Sequence, residues 1–332
     1  MIRLKLAKRR NMRNRRSSDD SRYNTPMQFF SNRHSHRRSA FSMIEFAVVI
    51  GVIALLASIF IPYVAKAREM NRRSRCSGNL NKLSEALNAY ARQNSYLLPC
   101  VIHDIAGKPN GYTAFTGPDD GNPFASGSKV AANDVTASLF LLMRQGYIAS
   151  DQPGLSQFIC PSSDDVADKL TDAGGQIVAA NQRSNFRSAK NLSYGYCSPF
   201  SSAPKFRMNT DWLAPTFALM ADKGPGIHPP NDDVTAVGPD APPMEIRKAN
   251  SNNHNKAGQN VLYGDGHVDF QRTPYCGYHD RSTQPDNIYT AQAISPSTLP
   301  SNSPAINGFF GRKYAPSNWE DSFIVPGEHD RD

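Results

Sequence analysis

The chain has 332 residues and a formal net charge of +8. That length allows one or two domains and a sizeable core. The charge is concentrated: residues 1–40 hold twelve Lys/Arg and two acids, a net of +10, which leaves 25 basic against 27 acidic residues, a net of −2, for everything after. A basic pI confined to the first forty residues excludes a nucleic-acid-binding body. Only Tyr23, Phe29 and Phe30 interleave with those cations, too few for a stacking surface, so the stretch reads as a charged cytosolic tail and no nucleic-acid partner is expected.

The next segment, "FSMIEFAVVIGVIALLASIFIPYVA", runs from Phe41 to Ala65 and has no charged residue between Phe46 and Ala65. Its 25 residues make a helix of about 37 Å, enough for a hydrocarbon core of roughly 30 Å. It is apolar all round, as a membrane helix is. Twelve cations precede it and five follow soon after (Lys66, Arg68, Arg72, Arg73, Arg75), so the N-terminus is expected in the cytoplasm and the body across the inner membrane, in the periplasm. The run is too long, and its basic prelude far too long, for an ordinary secretory signal, although Ala65-Lys66-Ala67 offers a small-x-small site. Arg37-Arg38 hints at a twin-arginine signal but stands one place too far from Phe41, and Cys76 is too distant for a lipoprotein signal.

Glu45 discriminates further. A carboxylate in a spanning helix costs about 2.5–3.5 kcal/mol unless it finds a partner. A cut between Ala40 and Phe41 would create one, an α-amino group one helical turn away at i, i+4. Glu45 also lies in the first turn, where the helix dipole favours an anion. Here the chain strongly resembles the prepilin and pseudopilin family, whose leader ends in a small residue followed by Phe-Thr-Leu-Ile-Glu. This chain reads Ala40, then Phe41-Ser42-Met43-Ile44-Glu45. Pro62 occupies the position, twenty-second from Phe41, where that family often has proline. The resemblance implies removal of the leader by a prepilin peptidase/methyltransferase, N-methylation of Phe41, and docking of Glu45 against neighbouring subunits. Ala40 departs from the family's usual glycine, and the leader is longer than usual. Pro62 has a plainer reading as well, a kink through loss of one helical hydrogen bond.

Beyond Lys66 the helical pattern continues to about Asn94. Cys76, Leu80, Leu83, Leu87 and Tyr90 recur in steps of 4, 3, 4 and 3, a stripe that packs this half on a globular head. Pro99 ends the pattern. Residues 99–132 read as loop, and "VTASLFLLMRQGYI" (135–148) as a short helix stopped by Gly146. "QFIC" at 157, "LSYGYC" at 192 and "TFALMADKG" at 216 read as strands, and 225–258 as a Pro/Asn-rich loop. "NVLY-GDG-HVDF" reads as a hairpin turning on Gly264-Asp265-Gly266. The expected fold class is α+β, a long N-terminal helix packed on an antiparallel sheet, pilin-like. The expected layout is a removable leader over 1–40, a transmembrane helix over 41–65, its amphipathic continuation over 66–95, a head over 96–290 and an irregular tail over 291–332.

"NNHNKAGQNVLYGDGHVDF" and "DNIYTAQ" resemble the C-terminal part of a large set of pseudopilin-like proteins of undefined function, marked by a His then an Asp-Gly. "FICPSSDD", "SYGY" and "ADKG" fit the same set. His254, Asp265 and Gly266 carry that motif, with one residue more than the commonest spacing, which implies an insertion within 255–258.

His254, Asp265, His267 and Asp269, with Asp222 and Asp286, supply metal-binding residue types. Asp265 belongs to a turn, and His267 and Asp269 to a solvated strand face, which accounts for them without catalysis. No catalytic residue, no catalytic metal and no cofactor are expected. Asp222, Asp265 and Asp269 remain candidates for a structural calcium, since exported loops rich in carboxylates suit that ion. None of the five cysteines is spaced as CxxC, which disfavours zinc. Disulfides form in a translocated head; Cys160 with Cys197 is the first-choice pair, four head cysteines allow three connectivities, and Cys76 is left over.

Together these readings point to a non-enzymatic pseudopilin or minor pilin of a type II secretion or type IV pilus-like machine. Its partners would be its peptidase, other pilin or pseudopilin subunits and an inner-membrane assembly platform. The alternative is a single-pass membrane-anchored enzyme or binding protein that never polymerises.

Overall fold

The computed structural model describes residues 41–104, 106, 115–117, 121–125, 128, 130, 132–172, 174–201, 206, 208–225, 240–278, 286–289, 322 and 324–325. The basic stretch over 1–40, with Ala40 at its end, lies outside the described residues, as does most of 291–332. The chain divides into two compact units, Met1–Leu56 and Ala57–Asp332.

The described part of the first unit is the beginning of helix α1, which spans Met43–Gln93. Ser42 and Glu45 start it as a reciprocal cap. The Ser42 hydroxyl accepts from the Ile44 N–H (3.2 Å), and the Ser42 N–H donates to Glu45 Oε2 (2.8 Å). The sequence is S-x-x-E, the capping-box spacing. Every residue from Phe41 to Leu56 is exposed. Apolar side chains stand in the open there, including Ile44, Phe46, Ile50, Ile53 and Leu55. Among the described residues one helix is thus long and apolar enough to cross a membrane, and none of its apolar window is buried.

In the second unit α1 continues through Pro62, and its later turns bury Cys76, Leu80, Leu83, Leu87 and Tyr90, the stripe expected from the sequence. The helix ends at Gln93, before Pro99, because Ser95 (φ 56°) and Tyr96 (φ 62°) turn left-handed and the Tyr96 N–H returns to Ala91 O (2.8 Å). Helix α2 (Val135–Arg144) is almost wholly buried. Asp134 caps it, accepting from the Ala137 N–H (2.7 Å). Phe140 of α2 meets Phe186 edge-on (5.1 Å between centroids), and Phe158 meets the same ring (5.0 Å).

"QFIC" is not a strand. Asp151 caps the one-turn α3 (Gln152–Leu155), and a 3-10 turn, Ser156–Phe158, follows directly. The remaining strands fall where expected: β1 (Tyr194–Cys197), β2 (Ala218–Asp222), β3 (Gln259–Tyr263) and β4 (Val268–Gln271). The region 225–258 is not all loop, since it holds α4 (Pro243–Ala249) and the turn Asn253–Lys256. Nor is the tail wholly irregular, since β5 (Ile324–Val325) pairs with β1. The sheet is antiparallel, in the order β4-β3-β2-β1-β5. The fold class is α+β, as expected. Strands β1, β2 and β3 are buried along their whole length, so both sheet faces are covered there. The β3–β4 hairpin turns at Gly264–His267; Gly266 (φ +91°) takes the left-handed position, and its N–H returns to Tyr263 O (2.9 Å).

Candidate functional site

Two places draw the candidate residues. The first is the start of α1. Phe41 is 80 % exposed, and Glu45 stands in the first helical turn. Sequence reasoning treated Glu45 as an acid needing a cation and missed its second role, the cap on Ser42. The signal was present as Ser42-x-x-Glu45.

The second place is a buried polar cluster beneath α1, centred on His254. The turn Asn253–Lys256 holds His254 (φ 55°), Asn255 (φ 58°) and Lys256 (φ 57°) in left-handed backbone. Three successive non-glycine residues in that region cost about 1–2 kcal/mol each and persist only where the surroundings hold them. The Asn250 amide donates to Lys256 O (3.3 Å) and Arg272 O (2.9 Å), and Arg247 donates to Asn255 O (2.9 Å). Gly258 (φ +148°) closes the turn onto β3, and a Cβ there would meet Gln271 O at 2.1 Å, so no other residue fits. The implied insertion at 255–258 falls on this turn.

This backbone drives the His254 ring into the core, where it is fully buried. Nδ1 meets Glu69 Oε1 of α1 at 2.7 Å, so the proton on Nδ1 is donated there. Nε2 lies 3.3 Å from Asp222 Oδ2 on β2, 3.1 Å from Asn260 Nδ2 on β3 and 3.5 Å from Cys160 Sγ. It therefore faces an acceptor and a donor, and can give a proton to the first or accept one from the second. Burial works against the imidazolium, but Asp222 and then Glu69 outweigh it, and the pKa of His254 is raised above the usual value. Asp222 is fixed in turn by the Asn260 N–H (2.7 Å) and amide (3.1 Å) and by the Asn253 amide (3.4 Å). Ser162 donates to Glu69 (3.0 Å), Arg72 and Arg73 stand 3.8 Å from its oxygens, and the Arg73 guanidinium lies over Phe270 (4.2 Å).

Cys160 is bonded to Cys76 on α1, not to Cys197 (Cα–Cα 5.2 Å). The Cys197 thiol instead sits against Ser198 O (4.0 Å). The expected pair overlooked Cys76 because it stood on the helix stripe. The stripe buries that residue against the head, beside Cys160.

The His-then-Asp-Gly motif does not form one site. His254 is buried, whereas Asp265 is exposed in the hairpin turn and accepts from the His267 N–H (3.0 Å), with the His267 ring also against its carboxylate. Slight burial would raise the Asp265 pKa, but the His267 backbone N–H and ring draw it below the usual carboxylate range. The three calcium candidates do not converge. Asp269 pairs across β4–β3 with Val261, which pairs with Ala221, so alternation puts Asp269 and Asp222 on opposite faces of the sheet. Asp286 lies elsewhere, accepting from the Ser322 N–H (2.7 Å). Among the described residues the group that does converge is Cys76, Cys160, Asp222 and His254, all buried, with their donor atoms within 4.8 Å of one another.

Sequence reasoning missed Glu69, Arg73 and Asn260. Glu69 carried a signal: it is seven residues before Cys76, hence on the same stripe, and is the lone acid between Lys66 and Arg75. No family model, no curated protein and no solved structure matches the chain.

Proposed function

We propose that the chain is a pseudopilin or minor pilin, a structural subunit of a type II secretion or type IV pilus-like assembly. It would be cut after Ala40, N-methylated at Phe41 and held in the inner membrane by the first half of α1. The carrying observation is Glu45: a carboxylate in the first turn of a helix whose apolar side chains from Phe41 to Leu56 all stand exposed. Among the described residues its carboxylate accepts one hydrogen bond, from the Ser42 N–H, which satisfies a backbone donor and brings no countercharge. An amine on Phe41, in the same chain or a neighbour, would neutralise it. The head offers support of a different kind. Its buried sheet and helix stripe make a solid body on which α1 is fastened, as a filament subunit requires.

The cap also supplies the specific observation behind the second reading, a non-polymerising anchor, because capping needs neither a cut nor a charge. Glu45→Gln separates the two. The carboxamide oxygen still accepts from Ser42 while the charge is lost. A filament subunit carrying Gln is expected to vanish from filaments sheared off cells, as one carrying Val would, while a simple anchor tolerates both changes. N-terminal sequencing of the membrane-extracted wild-type chain is expected to begin with N-methylated Phe41. Any other start, or absence of the wild-type chain from sheared filaments, rejects the filament reading in favour of the anchor, whereas normal assembly of Glu45→Gln would show that the Glu45 charge is not what assembly needs.

A further inference from the structure

The four-residue cluster under α1 contains more than a disulfide needs. A cystine requires two sulfurs; here an imidazole nitrogen and a carboxylate are aimed at the same point, in the core, from two further elements. A tetrahedral zinc with ligands at 2.0–2.3 Å sets its donor atoms about 3.3–3.8 Å apart. His254 Nε2 already stands 3.3 Å from Asp222 Oδ2 and 3.5 Å from Cys160 Sγ. The two sulfurs are too close, because they are bonded to each other, and all the donor atoms of the four lie within 4.8 Å of one another.

We propose that this cluster is a redox-gated zinc site: when the Cys76–Cys160 bond is reduced, the two thiolates, His254 Nε2 and one Asp222 oxygen take up a single Zn²⁺, and when the bond forms they release it. Reduction by a dithiol oxidoreductase adds two electrons and two protons to the sulfur pair and leaves the two thiols of that enzyme joined as a disulfide. Zinc then displaces both thiol protons, and any proton on Nε2, to solvent. Re-oxidation, by a disulfide-donating oxidoreductase or an equivalent two-electron oxidant, rejoins the sulfurs and frees the ion.

The surroundings suit zinc. Glu69 accepts the Nδ1 proton at 2.7 Å, which leaves Nε2 as the ligating nitrogen, the carboxylate–histidine–metal arrangement. Asp222 is oriented by Asn253 and Asn260. Two thiolates and one carboxylate exceed the charge of the ion by one, and Glu69 adds another negative charge; Arg72 and Arg73, each 3.8 Å from Glu69, offset them. Thiolates with imidazole exclude the hard cations calcium and magnesium. In either redox state α1 is then cross-linked to the head at the same point, by a covalent bond or by a metal.

The test uses the full chain purified in detergent. Half is reduced under argon with a water-soluble phosphine, which takes the oxygen of one water while the sulfurs take its hydrogens. Both halves receive zinc, or cobalt(II) as a coloured stand-in, and are freed of loose metal. The reduced chain is expected to retain about one zinc and the oxidised chain at least tenfold less. Cobalt should give the strong visible bands of tetrahedral coordination and a thiolate-to-metal band in the near ultraviolet. Cys76→Ser should lose both signals, Cys100→Ser with Cys276→Ser should keep them, and Glu69→Gln should weaken binding about 10–100-fold. The proposal is overturned if the reduced wild-type chain retains no metal, folded or not, if oxidised and reduced chains bind equally, if the cobalt spectrum lacks the thiolate band, or if binding survives Cys76→Ser.

Discussion

Asp134 shows what a single buried carboxyl does to stability. It caps α2, accepting from the Ala137 N–H (2.7 Å), the Thr136 hydroxyl (2.9 Å) and the Asn185 amide, with the Thr116 hydroxyl also against it. Burial pushes its pKa up to about 6, against the lowering effect of those bonds. A folded-state value above the unfolded one means that the folded chain binds the proton more tightly. Stability from this group is therefore fully present below about pH 4 and is lost as pH rises through about 6. Asp134→Asn removes the titration while keeping an acceptor for Ala137. Denaturant titrations of both proteins from pH 4 to 7 should show the wild type losing about 2–3 kcal/mol relative to the variant over that window. A constant difference would contradict the raised value. Cys100 behaves similarly: burial pushes its thiol up to about 12, which makes it a poor nucleophile at neutral pH.

Among the elements, the second half of α1 was the most legible. Its buried stripe repeats at the helical period, and periodicity survives without any knowledge of the partner surface. The β3–β4 hairpin was legible for a local reason too, since Gly266 supplies the left-handed turn. "QFIC" was not, because a short apolar run fits a buried turn as well as a strand, and Asp151 with Pro153 had already begun a helical turn. The helix Pro243–Ala249 carried a readable start, proline at its first position with Glu245 in the first turn, and was overlooked inside a Pro-rich stretch. The His254 cluster was least legible. Its members Glu69, Cys160, Asp222 and His254 come from four separate parts of the chain, so apart from the place of Glu69 on the Cys76 stripe nothing in local spacing announces them. The Cys76–Cys160 bond closes a sequence separation of 84 residues. On loop entropy, Cys76→Ala with Cys160→Ala should destabilise the head by about 4–5 kcal/mol in metal-free buffer. Urea unfolding followed by near-ultraviolet circular dichroism measures this, and a loss below about 1 kcal/mol would show that packing of the stripe alone fastens the helix.

At the scale of the whole molecule, the apolar helix and the asymmetric charge give a testable orientation. With twelve cations ahead of the span, the head should face away from the cytoplasm. Protease added to cells stripped of their outer layers should digest the head, and residues before Phe41, where still attached, should be protected. The reverse pattern would invert the topology. The last described strand bears on how the molecule comes to be finished. β1 is flanked by β2 on one side and by Ile324–Val325 on the other, a partner about 130 residues downstream. Ser322 anchors that partner, accepting from the Ala218 N–H (3.2 Å) and donating its own N–H to Asp286. The outer edge of β1 therefore stays open in a nascent chain until residues 324–325 have emerged, so Tyr196 and Cys197 gain their second neighbour late.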